Sequence, residues 1–285
     1  MFALRFENTE KIQLGIESIT RKWWFFLILL LLQMLPPITS EPVSPEQAGL
    51  VIGAVLSQAI VYDLPLLFPL FKILSILMLA SIFILKNRVS RIFSLYVGFM
   101  YILFAFLQSI AFTEEFGFAV VTVNILMFLM VAMTWFWDAV AVKNDFEAPQ
   151  CDRSKVWVIP LAVLAFWYPI NVDTMILDFN PALLLNNMAG LAFCMMTPVF
   201  LSTLILFYPA VNIATLRVTS SIGIVISFYN FLTNFVMFPE LLFWNGILHI
   251  PLTIISVYAF ALSIRHRMPQ HLETPSEDVP TVYGT

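Results

Sequence analysis

Charge is scarce in this chain. Lys, Arg, Asp and Glu make up 11% of 285 residues, against 60% hydrophobic residues and a mean hydropathy of +0.90, whereas a soluble domain is about a quarter charged. That scarcity excludes a soluble globular domain of useful size, and no basic stripe for nucleic acid is present. Cysteine is limited to Cys151 and Cys194. The first falls in a polar connection and the second inside an apolar run, so no disulfide framework is expected. Histidine is limited to His249, His266 and His271, too few imidazoles within the apolar segments for a bis-histidine haem, a histidine-box di-iron site or an HExxH zinc site. A phosphate loop, a Gly-x-Ser-x-Gly elbow and paired Asp-rich motifs are also missing. The expectation is therefore a protein without metal or cofactor.

What the chain has in abundance is apolar runs. A run of about 20 apolar residues crosses the ~30 Å hydrocarbon core as a helix, and such runs follow one another nearly from end to end. Residues 1–22 alternate charge with Phe2, Leu4, Phe6, Ile12, Leu14, Ile16 and Ile19, which suits an interfacial amphipathic helix or a flexible segment. Trp23 to Leu35, closed by Pro36 and Pro37, reads as a retained first span, since no small-x-small cleavage site follows. Later spans are expected near 66–85, 92–112, 117–140, 155–171, 182–207, 211–237 and 240–264. The piece from Gln47 to Tyr62 either crosses or lies re-entrant, and its row of Gly49, Gly53 and Ser57 favours close packing on another helix. The fold class expected is an all-α polytopic membrane bundle of eight or nine transmembrane helices. It forms one domain over 23–267, followed by a disordered cytoplasmic tail at 268–285 whose residues are polar, acidic and rich in Pro.

The few charges are sorted. Lys86, Arg88 and Arg91 share one connection, Lys143, Arg153 and Lys155 another, and Arg217 and the pair Arg265 and Arg267 stand near two more. The alternate connections carry Glu114 and Glu115, then Asp173 and Asp178, then Glu240, with no Lys or Arg among them. Because orientation follows basic residues in short loops, the basic set is expected in the cytoplasm with the carboxyl terminus, in a cell membrane.

The last apolar segments carry polar stripes. At about 100° per residue, Asn186, Asn187, Gly190, Cys194 and Thr197 share a helical face, as do Ser220, Gly223, Ser227, Asn230 and Asn234, and then Asn245, His249, Ser256 and Ser263. An unpaired amide in hydrocarbon costs several kcal/mol, so these faces are expected to turn toward one another in the external leaflet. Helix packing through small and amide residues is one reading of such a seam. A pocket formed by Asn186, Asn187, Asn230, Asn234, Asn245 and His249 is the other. Pro251 leaves the Ile247 carbonyl without its helical donor, one more acceptor beside the imidazole.

Cys194 with His249 as base is the arrangement a thiol nucleophile needs. The order Cys194, Arg217, His249 resembles that of exosortases and archaeosortases, polytopic transpeptidases that place Cys, Arg and His on the external side. The resemblance implies a Cys/His intramembrane enzyme. The surroundings Phe193-Cys194-Met195-Met196 lack that family's small neighbours, and Arg217 belongs near the cytoplasmic start of its helix. Lys72 is an intramembrane charge with Asp63 about two turns away, and with Asp178 it is a candidate coupling or mouth residue. Asp138 beside Trp137 reads as interfacial, and Asn180 as a helix cap. The function expected is a permease or ligand-binding protein whose neutral polar pocket takes a small polar or amphiphilic molecule. The alternatives are an intramembrane enzyme acting on a lipid or exported substrate, and a structural subunit. Expected partners are the lipid bilayer, the small ligand, and a membrane subunit or second copy, with no nucleic acid.

Overall fold

The computed structural model describes residues 2–147 and 152–266, so the expected tail at 268–285 and Cys151 lie outside the described residues. Ten α-helices are present among them: α1 (Phe2–Arg21), α2 (Trp23–Leu32), α3 (Ala48–Ser57), α4 (Leu67–Leu85), α5 (Ser90–Leu107), α6 (Thr122–Ala141), α7 (Val158–Trp167), α8 (Phe193–Phe207), α9 (Ile213–Phe231) and α10 (Pro239–Arg265). Four helical stretches are long and apolar enough to cross a membrane, or five if a bent pair counts as one span. That is fewer than the eight or nine expected. Helices α2, α3 and α7 have 10 residues each, a length of about 15 Å.

The longest stretch, Leu67–Leu107, is not straight. Ser75 Oγ and Tyr96 OH are 2.6 Å apart, whereas a straight helix would separate them by about 31 Å. The chain turns back at Lys86–Val89, where Lys86 takes φ 52, and α4 and α5 become separate arms.

Two departures from the expected elements have local causes. The bundle is not purely helical: β1 (Ile38–Thr39), β2 (Ile110–Thr113) and β3 (Gly117–Val120) form an antiparallel sheet in the order β1-β3-β2. The hairpin between α5 and α6 closes with Thr113 opposite Gly117. Gly117 takes φ +62, the left-handed residue that ends a three-residue hairpin loop. Residues 182–207 do not form one helix either. Two short turns, Pro181–Leu184 and Met188–Leu191, meet α8 at a bend of 94°. The Asn180 and Asn187 side chains accept from Ala182 N at 2.9 Å and Ala189 N at 3.1 Å, so the amides start turns where a continuous helix was expected. The cap expected at Asn180 is present.

Helix α8 is the centre of the molecule, buried along its length except for half-buried Cys194. Around it Phe93, Tyr101, Phe104, Trp135, Phe193 and Phe200 form the core, with the Phe128 and Phe193 rings stacked at 4.2 Å. Apolar residues also cover the outside, as on α4, where Leu77 is 60% and Ile84 74% exposed. Such a surface is compatible with contact to lipid. Close helix approach follows glycine: a Cβ on Gly98 of α5 would meet the Phe136 ring at 2.9 Å, and one on Gly223 of α9 would meet Ser256 of α10. The row Gly49, Gly53 and Ser57 behaves otherwise. It is exposed, with nothing within 4 Å of a Cβ on either glycine, so it packs on no helix among the described residues.

The sorted charges gather at the two ends. Lys86 pairs with Glu147 at 3.3 Å, Asn87 Nδ2 donates to Asp145 at 2.7 Å, Asp145 N to Ala210 O at 2.8 Å, and Lys155 Nζ to Tyr208 O at 2.9 Å. The basic connections are thereby joined into one end of the bundle.

Candidate functional site

The amides of the later segments meet at the other end. Asn230 lies near the end of α9, and Asn234 in a π-helical turn, Leu232–Met237, that continues it. Asn245 and His249 follow on α10, one turn apart. Gly246 lets α10 approach closely, since a Cβ there would lie 2.9 Å from Asn234 Cβ and 2.6 Å from the Phe235 ring. One directed chain of hydrogen bonds results. Tyr168 OH donates to Asn245 Oδ1 at 2.6 Å, and Asn245 Nδ2 to Asn234 Oδ1 at 2.7 Å. Asn234 Nδ2 donates to Asn230 O at 2.6 Å, and Asn230 Nδ2 to Cys194 Sγ at 3.3 Å and Ile226 O at 3.1 Å. The Asn234 and Asn245 amides are each held from both sides and the Asn230 amide through its Nδ2, so the seam is pre-organised.

His249 Nδ1 lies 2.7 Å from Asn245 O. A carbonyl only accepts, so Nδ1 carries the proton and Nε2 presents a lone pair. The imidazole uses Asn245 O, not the Ile247 carbonyl that Pro251 leaves free. Its ring stands edge-on to Tyr168, centroids 6.3 Å apart.

The remaining candidates are placed differently. Asn187 is buried and supports the seam indirectly: Nδ2 donates to Trp167 O at 2.7 Å and Tyr168 O at 3.1 Å, holding the residue that begins the chain of bonds. Asn186 is exposed and takes no part; the 94° bend removes the shared helical face that grouped it with Cys194. Cys194 is bonded by Asn230, and no hydrogen bond joins it to His249 among the described residues. Arg217 lies at the opposite end of α9, with Nη1 donating to Glu17 O at 3.0 Å and Thr20 Oγ1 at 3.1 Å and Nη2 to Ser263 O at 2.8 Å. The Cys, Arg and His order in the sequence is thus not an assembled trio.

Lys72 is fully buried and donates to Phe166 O, its Nζ 4.3 Å from the Phe166 ring centroid. A cation at the last carbonyls of α7 is favoured by the helix dipole, and this contact replaces the pairing with Asp63, which is exposed. Asp178 Oδ1 accepts from Asn180 N at 3.0 Å. Ser220, Ser227 and Ser263 bond back to carbonyls of their own helices, so the lower part of the stripes serves helix packing. No group of three or more His, Cys, Asp or Glu able to hold a metal ion occurs among the described residues.

Two features were missed from sequence. Tyr168 falls at the end of the run expected at 155–171, where an aromatic ordinarily sits at the interface, yet it is buried at the head of the seam. Asp138 looked interfacial too, and it is fully buried. Its Oδ2 accepts from Ser94 Oγ at 2.5 Å and Asn144 Nδ2 at 2.6 Å, its Oδ1 from Asn212 Nδ2 at 3.0 Å and Lys143 N at 3.3 Å. Gln13 of α1 extends the cluster, donating to Asn212 Oδ1 at 3.0 Å and accepting from Trp137 Nε1 at 2.6 Å. The only sequence signal was local, an Asp followed six residues later by Asn144 in a polar connection. Compared with protein-family models, with curated proteins and with solved structures, the chain matches none of them.

Proposed function

We propose that this protein is a multi-pass membrane permease or ligand-binding protein that receives a small, neutral, hydrogen-bond-donating molecule at the amide and imidazole seam. The observation that carries the reading is a pair of acceptors left over in a network otherwise bonded throughout. His249 Nε2 and Asn230 Oδ1 have no hydrogen-bond partner among the described residues. Free acceptors call for a ligand that brings hydroxyl or N–H groups, with an apolar remainder suited to the surrounding bundle. The absence of a Cys194 to His249 bond favours binding over thiol chemistry. In this reading the basic end faces the cytoplasm of a cell membrane and the seam faces outward. Counting α4 and α5 as two crossings, and α2, α3 and α7 as crossings completed by their flanking segments, gives eight, or nine with the bent pair.

The test is thermal unfolding of the purified protein against polyols, primary amides, zwitterionic amino acids and lysophospholipids. A ligand at a hundred times its dissociation constant stabilises by about 2.7 kcal/mol. At least one class is expected to raise the melting temperature of the wild type and not of Asn230→Leu or His249→Leu. A panel without a stabilising compound, or variants that respond as the wild type does, refutes the proposal.

A further inference from the structure

A second site lies at the opposite end, where α1, α2, α6 and α9 meet. A groove of about 180 Å³ is lined there by Ile16 and Thr20 of α1, Phe25 of α2, Met133 and Trp137 of α6, and Val218 of α9. Met133 is 62% exposed, so the groove opens on the bilayer-facing surface. Its α6 wall is Met130, Met133, Thr134 and Trp137, one helical face running about 10 Å along the axis. Such a wall suits a chain of methylenes.

The rim is cationic. Thr20 and Phe25 line the groove on either side of the α1–α2 elbow, so the exposed Arg21 and Lys22 between them stand at its edge, next to the exposed Trp23 and Trp24. Behind this edge, Thr20 Oγ1 also accepts from Arg217. Arg217 is 2% exposed, and among the described residues its guanidinium is bonded only to neutral oxygens and its Nε has no partner. Glu17 and Arg21 are the charges near enough to act on it. Among the described residues at this edge, Arg21, Lys22 and Arg217 stand against the carboxylate of Glu17, an excess of positive charge beside an apolar channel. Basic residues on an interfacial helix next to Trp attract acidic headgroups.

We infer that this groove is a binding site for one acidic phospholipid, its acyl chain along the Met130 to Trp137 face of α6 and its phosphate at Arg21 and Lys22 over the buried Arg217. The site stands at the other end of the bundle from the amide seam and does not depend on the function proposed for it.

The experiment is native mass spectrometry of the full chain released from nanodiscs containing an equimolar mixture of phosphatidylglycerol and phosphatidylcholine. The wild type is expected to retain one phosphatidylglycerol in preference to phosphatidylcholine. The double variant Arg21→Gln, Lys22→Gln should lose that preference by about 30-fold, from roughly fivefold per charge removed near the surface. Met133→Trp fills the groove without touching a charge and should lose the retained lipid altogether. Met130→Trp, on the same face, takes its place if that variant fails to fold. Equal retention of the two lipids by the wild type overturns the inference. So does a charge variant that keeps the preference, or a groove-filling variant that keeps the lipid, since the second places the headgroup on the surface without its chain in the groove.

Discussion

Replacing Asp138 with Asn tests whether the carboxylate organises the basic end of the bundle. Asp138 sits in the last turn of α6, where the helix dipole disfavours negative charge, and it is fully buried with no cation bonded to it among the described residues. Four donors compensate: Ser94 Oγ and Asn144 Nδ2 on one oxygen, Asn212 Nδ2 and Lys143 N on the other. An Asn keeps one oxygen for Asn212 Nδ2 and Lys143 N; its NH₂ meets the donor Asn144 Nδ2 but can donate to the Ser94 hydroxyl, so two bonds to a charged acceptor are lost and one neutral bond replaces them. At about 1.5–3 kcal/mol each, less about 1 kcal/mol for the neutral bond to Ser94, the expected loss is about 2–5 kcal/mol of unfolding free energy. Ordinary intramembrane hydrogen bonds average about 0.6 kcal/mol, so a pair of that strength predicts roughly 1.2. Equilibrium unfolding in mixed micelles with rising dodecyl sulfate, followed by far-ultraviolet circular dichroism, separates the two values. Asp178→Asn, at a half-buried position where the acid accepts from Asn180 N, serves as the control with little effect. A loss no greater than about 1.2 kcal/mol for Asp138→Asn refutes the argument that the charge of the carboxylate matters there.

Other outcomes follow from packing and from the seam. Gly98→Ala places a Cβ 2.9 Å from the Phe136 ring between two tightly packed helices, and should cost about 1–3 kcal/mol in the same unfolding assay. Gly53→Ala meets nothing within 4 Å and should stabilise by up to about 1 kcal/mol through helix propensity; a loss there would show that α3 packs against something beyond this chain. Tyr168→Phe removes the donor to Asn245 Oδ1 and leaves that acceptor unpaired, an expected loss of about 1–2 kcal/mol with backbone structure retained.

The sequence alone made the class of molecule legible, because hydrophobic run length and the sorting of Lys and Arg are properties of segments and need no partner. Several helices fall where the runs predicted, and the basic connections do gather at one end. That Asn230 and Asn234, and Asn245 and His249, share a face was also legible, since i, i+4 spacing fixes a face before the fold is known, and these four meet in one hydrogen-bonded seam.

Tertiary structure decided what those faces do. The break at Asn187 that removes Asn186 from the seam arises from a side chain competing with regular backbone bonding, and the hairpin that shortens α5 and α6 turns on the left-handed Gly117, a local competition between backbone conformations. Apolar run length does not register that competition. Lys72 finds a carbonyl and a ring 94 residues away in the chain, and Gln13 meets Asn212 across 199 residues. A buried polar group takes whatever donor or acceptor the packed bundle brings near, and only the assembled helices determine which one that is.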